Sequence, residues 1–470
     1  MNRARSESWF VLLFLLLASF LGPLDGSIVN IILPKLTEQF SVHLQEVKWV
    51  VLIYLLVTTS LLLIAGRLAD RIGYRTVLVI GLVIFIASSF ALAFSPSIGF
   101  MVLMRGVQAI GATLMFATTS ALVARVFVRH RGLALGMVGT SVSIALTAGP
   151  PLGGVLTDYF TWRSVFLVNV PLGIIAIAGI LATVKVTHEP ATPVPMPAAS
   201  TVNFAVAVGS LVLWLHWLSD PPGEALAGVV RLLPWSFIVF GGLFTVCELR
   251  GCRSLVEYSL FRVRDFSISA LAGVMQFINT NIVLFLLPFL LISYLGYEAR
   301  VAGLLMAAQP ICNIVVAPSA GHLSDRIGYR FLTTAGLVLT SVGLFLLATV
   351  GKASSFWHVL GILSVLGIGA GIFGSPNTSS LLGATPKDKL GTGSAVMAFA
   401  RNLGMLLGIS GAALLLAWRE GIHQTALGLA PTSESVLYGS QTFILAFHDI
   451  AILAGLMALG TAIISSFTRK

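Results

Sequence analysis

An all-α polytopic membrane protein, two six-helix bundles with two helices inserted between them, is the fold class predicted, and three observations predict it. Hydrophobic residues make up 57% of the 470-residue chain and charged residues only 10%, with a mean hydropathy of +0.97; soluble domains carry about 25% charge. Apolar runs of about 20 residues, enough to cross a hydrocarbon layer of about 30 Å as helix, recur along the chain. One charged decapeptide is written twice, as GRLADRIGYR at Gly66–Arg75 and GHLSDRIGYR at Gly321–Arg330, the mark of an internal repeat.

The runs lie near 9–33, 47–66, 76–95, 99–124, 132–157, 164–186, 201–218, 227–248, 266–292, 300–320, 331–350, 357–383, 393–417 and 443–466, which makes about fourteen helices. The first exceeds the apolar core of about 7–15 residues that a signal peptide carries, so it reads as a retained helix. Continuous apolarity excludes barrel strands, which alternate over about 10 residues. Each decapeptide falls between two runs, the second and third or the tenth and eleventh. Six helices with short loops take about 190–200 residues, whereas the copies start at residues 66 and 321, so an extra helix pair separates the repeats. Proline-rich breaks mark it: PATPVPMP at Pro190–Pro197 and SDPPGE at Ser219–Glu224, neither compatible with helix. The predicted domains are an N-terminal six-helix bundle (1–189), a cytoplasmic linker with two inserted helices (190–256), and a C-terminal six-helix bundle (257–470).

Nineteen Lys and Arg residues fall on one side of these spans and seven on the other. The positive-inside rule then places both termini and both decapeptides in the cytoplasm of a multi-pass protein of the plasma (inner) membrane. The formal charge of +10 reflects this topology, so no nucleic-acid partner is expected. Cys247, Cys252 and Cys312 show no CxxC spacing, there is no GxxxxGK[ST] loop, and GAGIFG at Gly369–Gly374 sits inside an apolar run with no strand before it. No metal site, cofactor or enzymatic activity is expected.

Five stretches in order resemble the major facilitator superfamily, specifically its fourteen-helix drug:proton antiporters. GRLADRIGYRTVL is similar to the family's loop motif between helices two and three, LDGSIVNIILP (Leu24–Pro34) to the helix-one signature, and RGVQAIGA (Arg105–Ala112) to the helix-four motif, with Ala109 where Gly is usual. GTSVSIALTAGPPLGG (Gly139–Gly154) resembles the helix-five antiporter motif, and WRSVFLVNVPLG (Trp162–Gly173) is again similar to this branch. The resemblance implies two parallel halves rocking about a central cavity, proton-coupled export, and a monomer whose partners are the bilayer, protons and a small lipophilic substrate.

The residues carry chemistry of their own. Asp25 lies mid-run, where an ionisable group costs about 2.5–3.5 kcal/mol on insertion scales and marks function by default. Removal from water penalises its charged form, which suits a proton carrier; the alternative is a local hydrogen bond to Ser27 or Asn30. Arg105 is the second buried charge and needs a partner from another helix or a backbone carbonyl. The resemblance links it to proton coupling, with a clamp through Gln108 as the alternative. Arg401, about two turns inside its run, can snorkel to the surface. Asp449, beside His448, is the other acid expected inside a span.

In helix five, Gly139, Gly149, Gly153 and Gly154 allow close backbone approach while Pro150 and Pro151 loosen the ladder. That fits either a gating helix or plain small-residue packing. In the first decapeptide, Gly66 and Gly73 allow a short turn, Asp70 can pair with an Arg or face a helix N-terminus, and Arg71 and Arg75 hold the membrane edge; the second copy, with Gly321, Asp325, Arg326 and Arg330, repeats the device: a conformational latch, or a topology anchor. Uncharged polar residues Asn30, Gln276, Asn279, Gln309, Asn313 and Asn377, with Met115, Phe116 and Phe277, are the candidate lining of a substrate cavity. With no second central carboxylate, the expected cargo is lipophilic, neutral or monocationic. The alternatives are export of an endogenous metabolite, lipid or siderophore, and a non-transporting membrane receptor or scaffold.

Overall fold

A computed structural model describes residues 2–127, 131–184, 198–219, 227–250, 258–386, 390–428 and 441–468. Among them the chain is helical throughout, with no strand, and fourteen helices are long and apolar enough to cross a membrane. We number these α1 (Asn2–Phe40), α2 (Trp49–Ile72), α3 (Tyr74–Ala93), α4 (Ile98–Val126), α5 (Arg131–Tyr159), α6 (Asn169–Thr183), α7 (Ala198–Ser219), α8 (Ala227–Arg250), α9 (Arg264–Pro288), α10 (Ala299–Ile327), α11 (Tyr329–Leu347), α12 (Phe356–Gly383), α13 (Leu390–Ala426) and α14 (Gln441–Ser465). A wider π-type turn, Phe289–Tyr294, extends α9. The proline-rich break 190–197, most of the break after Ser219, and Cys252 lie outside the described residues.

Two compact units divide the chain, Met1–Val208 and Gly209–Lys470, with the division inside α7. In the first, α1 packs on α5 and α6, and α4 on α2 and α3; in the second, α9 packs on α13, and α12 on α10 and α11. These are the same pairings, helix for helix. α4 and α12 even begin alike, with Ser97 accepting from the Phe100 amide and Ser355 from the His358 amide, each at 3.3 Å, so that a hydroxyl satisfies one orphan donor of the first turn.

The deepest likeness is a glycine crossing. A Cβ on Gly111 of α4 would lie 2.7 Å from the Gly81 carbonyl oxygen of α3, and one on Gly369 of α12 would lie 3.0 Å from the Gly336 carbonyl oxygen of α11. Backbone meets backbone at both, an approach only glycine permits.

The decapeptides are not loops. α2 runs through the first to Ile72 and α3 starts at Tyr74, so Gly73 alone makes the turn at φ 97°; Gly328 does the same between α10 and α11 at φ 82°. A turn at Gly73 is as expected, and the expectation of one at Gly66 is corrected. Gly66 and its counterpart Gly321 are helical, because the left-handed conformation that reverses the chain occurs one turn or more later.

Candidate functional site

Asp25 and Arg105, 80 residues apart, meet in the interior of the first unit, with Arg105 Nη1 2.5 Å from Asp25 Oδ2. Both side chains are fully buried. Removing two charges from water costs several kcal/mol per ion, so such a pair persists only where the remaining lone pairs and protons are also met. Here they are. Asp25 Oδ1 accepts from Gln108 Nε2 and from Asn169 Nδ2, each at 2.9 Å. Arg105 donates through Nε to the Val50 carbonyl at 2.9 Å and through Nη1 to Gln108 Oε1 at 2.5 Å, and its guanidinium lies 4.4 Å from the centre of the Tyr54 ring. Gln108 Nε2 also donates to Ser89 Oγ at 2.8 Å.

Five helices thus contribute to one network: α4 and α6 donate to the carboxylate of α1, while α2 holds Arg105 and α3 holds Gln108. Both interactions considered for Arg105, a partner acid and a clamp through Gln108 and a carbonyl, exist together. Asp25 uses neither Ser27, which donates to the Leu24 and Ala145 carbonyls, nor Asn30, which donates to the Gly26 carbonyl. Asn169 is the single amide of the sixth apolar run, and that isolation is the signal which points to it; Ser89 stands in a run of small residues and has none.

The helix-five motif packs directly behind this site. A Cβ on Gly149 would lie 1.8 Å from Ser27 Oγ, and one on Gly153 would lie 2.6 Å from Ile31. Gly154 is buried, Pro150 and Pro151 lie inside α5, and Gly139 has open space around it. In the first decapeptide, Arg75 donates to the Leu181 carbonyl of α6 at 2.9 Å. Arg71, Arg326 and Arg330 are exposed, and the side chains of Asp70 and Asp325 lie outside the described residues.

The candidate cavity residues are distributed over both units. Met115 is packed in the apolar core of the first, and Phe116 lies against Gly22. In the second, Asn377 Nδ2 donates to the Ser269 carbonyl at 3.1 Å, Phe277 packs on Gly404, and the backbones of Gln309 and Asn313 approach Gly367 and Gly371. Gln276 and Asn279 are buried, and Gln276 Oε1 and both amide atoms of Asn279 have no partner among the described residues.

His448 and Asp449 are neighbours in sequence only. His448 Nε2 meets the Val350 carbonyl at 2.7 Å, while Asp449 Oδ2 takes Arg419 and His423, each at 2.6 Å. The Asp449 side chain is 25% exposed, not buried. Arg401 has an exposed side chain.

The profile of the Major Facilitator Superfamily matches residues 15–264 and 269–465. The chain belongs to this superfamily. Among curated members it is 30% identical to the riboflavin transporter RibZ of Clostridioides difficile, over 86% of this chain and 87% of RibZ. It is 31% identical to the multidrug resistance protein Stp of Mycobacterium tuberculosis, over 86% of this chain and 75% of Stp. In fold it is similar to the crystal structure of a bacterial homologue of the human lysosomal transporter Spinster, inward-facing and unoccupied. That match has a TM-score of 0.72 and 13% identity, and covers 98% of this chain and 96% of that one. The protein is a multi-pass membrane transporter of the major facilitator superfamily.

Proposed function

We propose that the protein is a proton-coupled antiporter of the plasma (inner) membrane, monomeric and with cytoplasmic termini, which exports lipophilic neutral or monocationic compounds by alternating access. The observation that carries the reading is the Asp25–Arg105 pair: a fully buried carboxylate of α1 held by three donors from α4 and α6. A charge so placed is costly in a membrane and favours a role in moving ions. In the proposed cycle Arg105 is the counter-charge of Asp25, and a rearrangement that withdraws the guanidinium accompanies proton uptake. Helix packing at Gly149 and Gly153 bears on the same stretch of α1, so movement of α5 and the state of Asp25 are mechanically adjacent. One proton entering down 100 mV supplies about 2.3 kcal/mol, roughly a fiftyfold gradient of a neutral substrate.

Substrate-dependent proton flux in proteoliposomes, across a compound panel, tests this. Transported compounds should drive protons the opposite way, and Asp25→Asn should abolish pH-driven uptake into inverted vesicles while a neutral compound still binds within about tenfold, or 1.4 kcal/mol. Full pH-driven uptake by Asp25→Asn would place the proton elsewhere.

The likeness to RibZ, a riboflavin transporter, favours a second reading: export of an endogenous metabolite on the same machinery. The uncharged amides Gln276 and Asn279 suit a neutral cargo with hydrogen-bonding groups better than they suit a cation. The same panel, extended to vitamins and other metabolites, separates the two.

A further inference from the structure

We infer that Asn169 is the positioning residue that registers the protonation state of Asp25, by turning its side-chain amide over when the carboxylate takes a proton. The inference rests on Asp25 as the proton carrier and adds the group that receives the carboxylic hydrogen.

The ionised carboxylate only accepts, and every group around it donates: Arg105 Nη1 to Oδ2, Gln108 Nε2 and Asn169 Nδ2 to Oδ1. When a hydronium ion passes its proton to Oδ1, an O–H bond of hydronium breaks, leaving water, an O–H bond forms on the carboxyl, and the group becomes a donor that must find an acceptor. Two amides face that oxygen, and only one can turn at no loss elsewhere. Gln108 is locked at both ends, since its Oε1 accepts from Arg105 and its Nε2 also donates to Ser89; turning it would set its NH2 against the guanidinium. Asn169 is tied at one end. Its Nδ2 donates to Asp25, while its Oδ1 is buried with no partner among the described residues.

An unmatched buried carbonyl is unfavourable, and it acquires a use once Asp25 is neutral. A half-turn of the amide brings Oδ1 to the carboxyl, which then donates to it. Each state has one Asp25–Asn169 hydrogen bond and one unmatched amide atom, so the turn itself is nearly balanced, and proton occupancy decides its direction. Asn169 opens α6, two residues from the short helical turn Ser164–Leu167, so the switch sits at the junction of that segment with the bundle.

Infrared difference spectra of the full-length protein in lipid, acid minus alkaline, test this. Wild type should gain a carboxylic C=O band that Asp25→Asn lacks, together with a shift in a side-chain amide C=O band. In Asn169→Leu the carboxylic band should remain but move to higher wavenumber, and the amide shift should vanish; Asn169→Gln, which keeps the amide, should restore it. A purely structural Asn169 would leave the carboxylic band unmoved in Asn169→Leu, which overturns the inference. Where Asn169→Leu does not fold, wild type carrying 13C at the asparagine side-chain carbonyl serves instead, and absence of a label-dependent shift on acidification overturns it equally. A wild-type spectrum with no Asp25-dependent band would defeat the proton-carrier reading, and this inference with it.

Discussion

The two units share a skeleton and differ in charge. Ser27 lies against Gly149 of α5 and Asn281 against Gly408 of α13; two residues before each stand Asp25 and Asn279. Six residues before the crossing glycines Gly111 and Gly369 stand Arg105 and Leu363, and three before them Gln108 and Leu366. The carboxylate, guanidinium and amide of the first unit therefore correspond to an amide and two leucines in the second, all buried. Glycine crossings persist in both because they set how close the helices come, which the fold needs twice. The charged network occurs once, so packing did not demand it.

The largest effect should come from making the first unit resemble the second. Arg105→Leu leaves Asp25 buried without its counter-charge, and breaking one side of a buried pair costs about 3–5 kcal/mol. The double variant Asp25→Asn/Arg105→Leu copies the residues Asn279 and Leu363, and should recover most of that stability, read as the thermal unfolding midpoint in lipid. It should still fail to drive pH-dependent transport. Transport by the double variant would break the comparison, and a double variant as unstable as Arg105→Leu would show that the Tyr54 and Val50 contacts outweigh the charge.

The glycine crossings come next, and there the units should agree. A Cβ on Gly111 meets the backbone of Gly81 and Phe85 at 2.7 Å, and one on Gly369 meets the Thr340 backbone nitrogen at 2.8 Å. Backbone cannot step aside as a side chain can, so Gly111→Ala and Gly369→Ala should each destabilise by about 1–3 kcal/mol. Unequal losses, in parallel unfolding measurements, would mean that the second unit's packing has relaxed along with its charges.

The antiporter motif offers a contrast within one helix. Gly149→Ala puts a Cβ 3.0 Å from the Ile28 backbone nitrogen and onto Ser27, whereas Gly139→Ala meets nothing within 4 Å. The first should lower stability by about 1–3 kcal/mol and depress transport beyond that, through displacement of the α1 segment that carries Asp25. The second should be neutral or slightly stabilising. Equal transport losses would detach the motif from the Asp25 site.

Much of this was legible in the residues. Fourteen runs, the duplicated decapeptide and two ionisable groups in lipid stand out because a membrane makes every charge conspicuous. Neutral partners stand out less: Asn169 is marked only by its isolation, Ser89 reads as one small residue among many, and the correspondence of Asn279 with Asp25 needs the helix contacts to fix the register. Of the turn glycines expected, Gly73 makes the turn and Gly66 does not, for a related reason. Charged residues near a helix end can continue the helix beyond the apolar run, so hydropathy marks the membrane edge and not where α2 stops.

The smallest effect belongs to the second unit's own ion cluster, Asp449 with Arg419 and His423. Its side chains are between 21% and 27% exposed, unlike the sealed Asp25 pair, and solvent near it weakens each interaction. Partly exposed pairs contribute about 1 kcal/mol or less. Arg419→Gln keeps a donor for Asp449 and should therefore lower stability by about 0.5 kcal/mol, with pH-driven transport at the wild-type level. The cluster joins α13 to α14. Parallel vesicle assays of Arg419→Gln and Asp25→Asn decide whether it takes part in coupling: a collapse of pH-driven uptake in Arg419→Gln, with expression intact, would give the second unit a proton site of its own and dissolve the asymmetry between the halves.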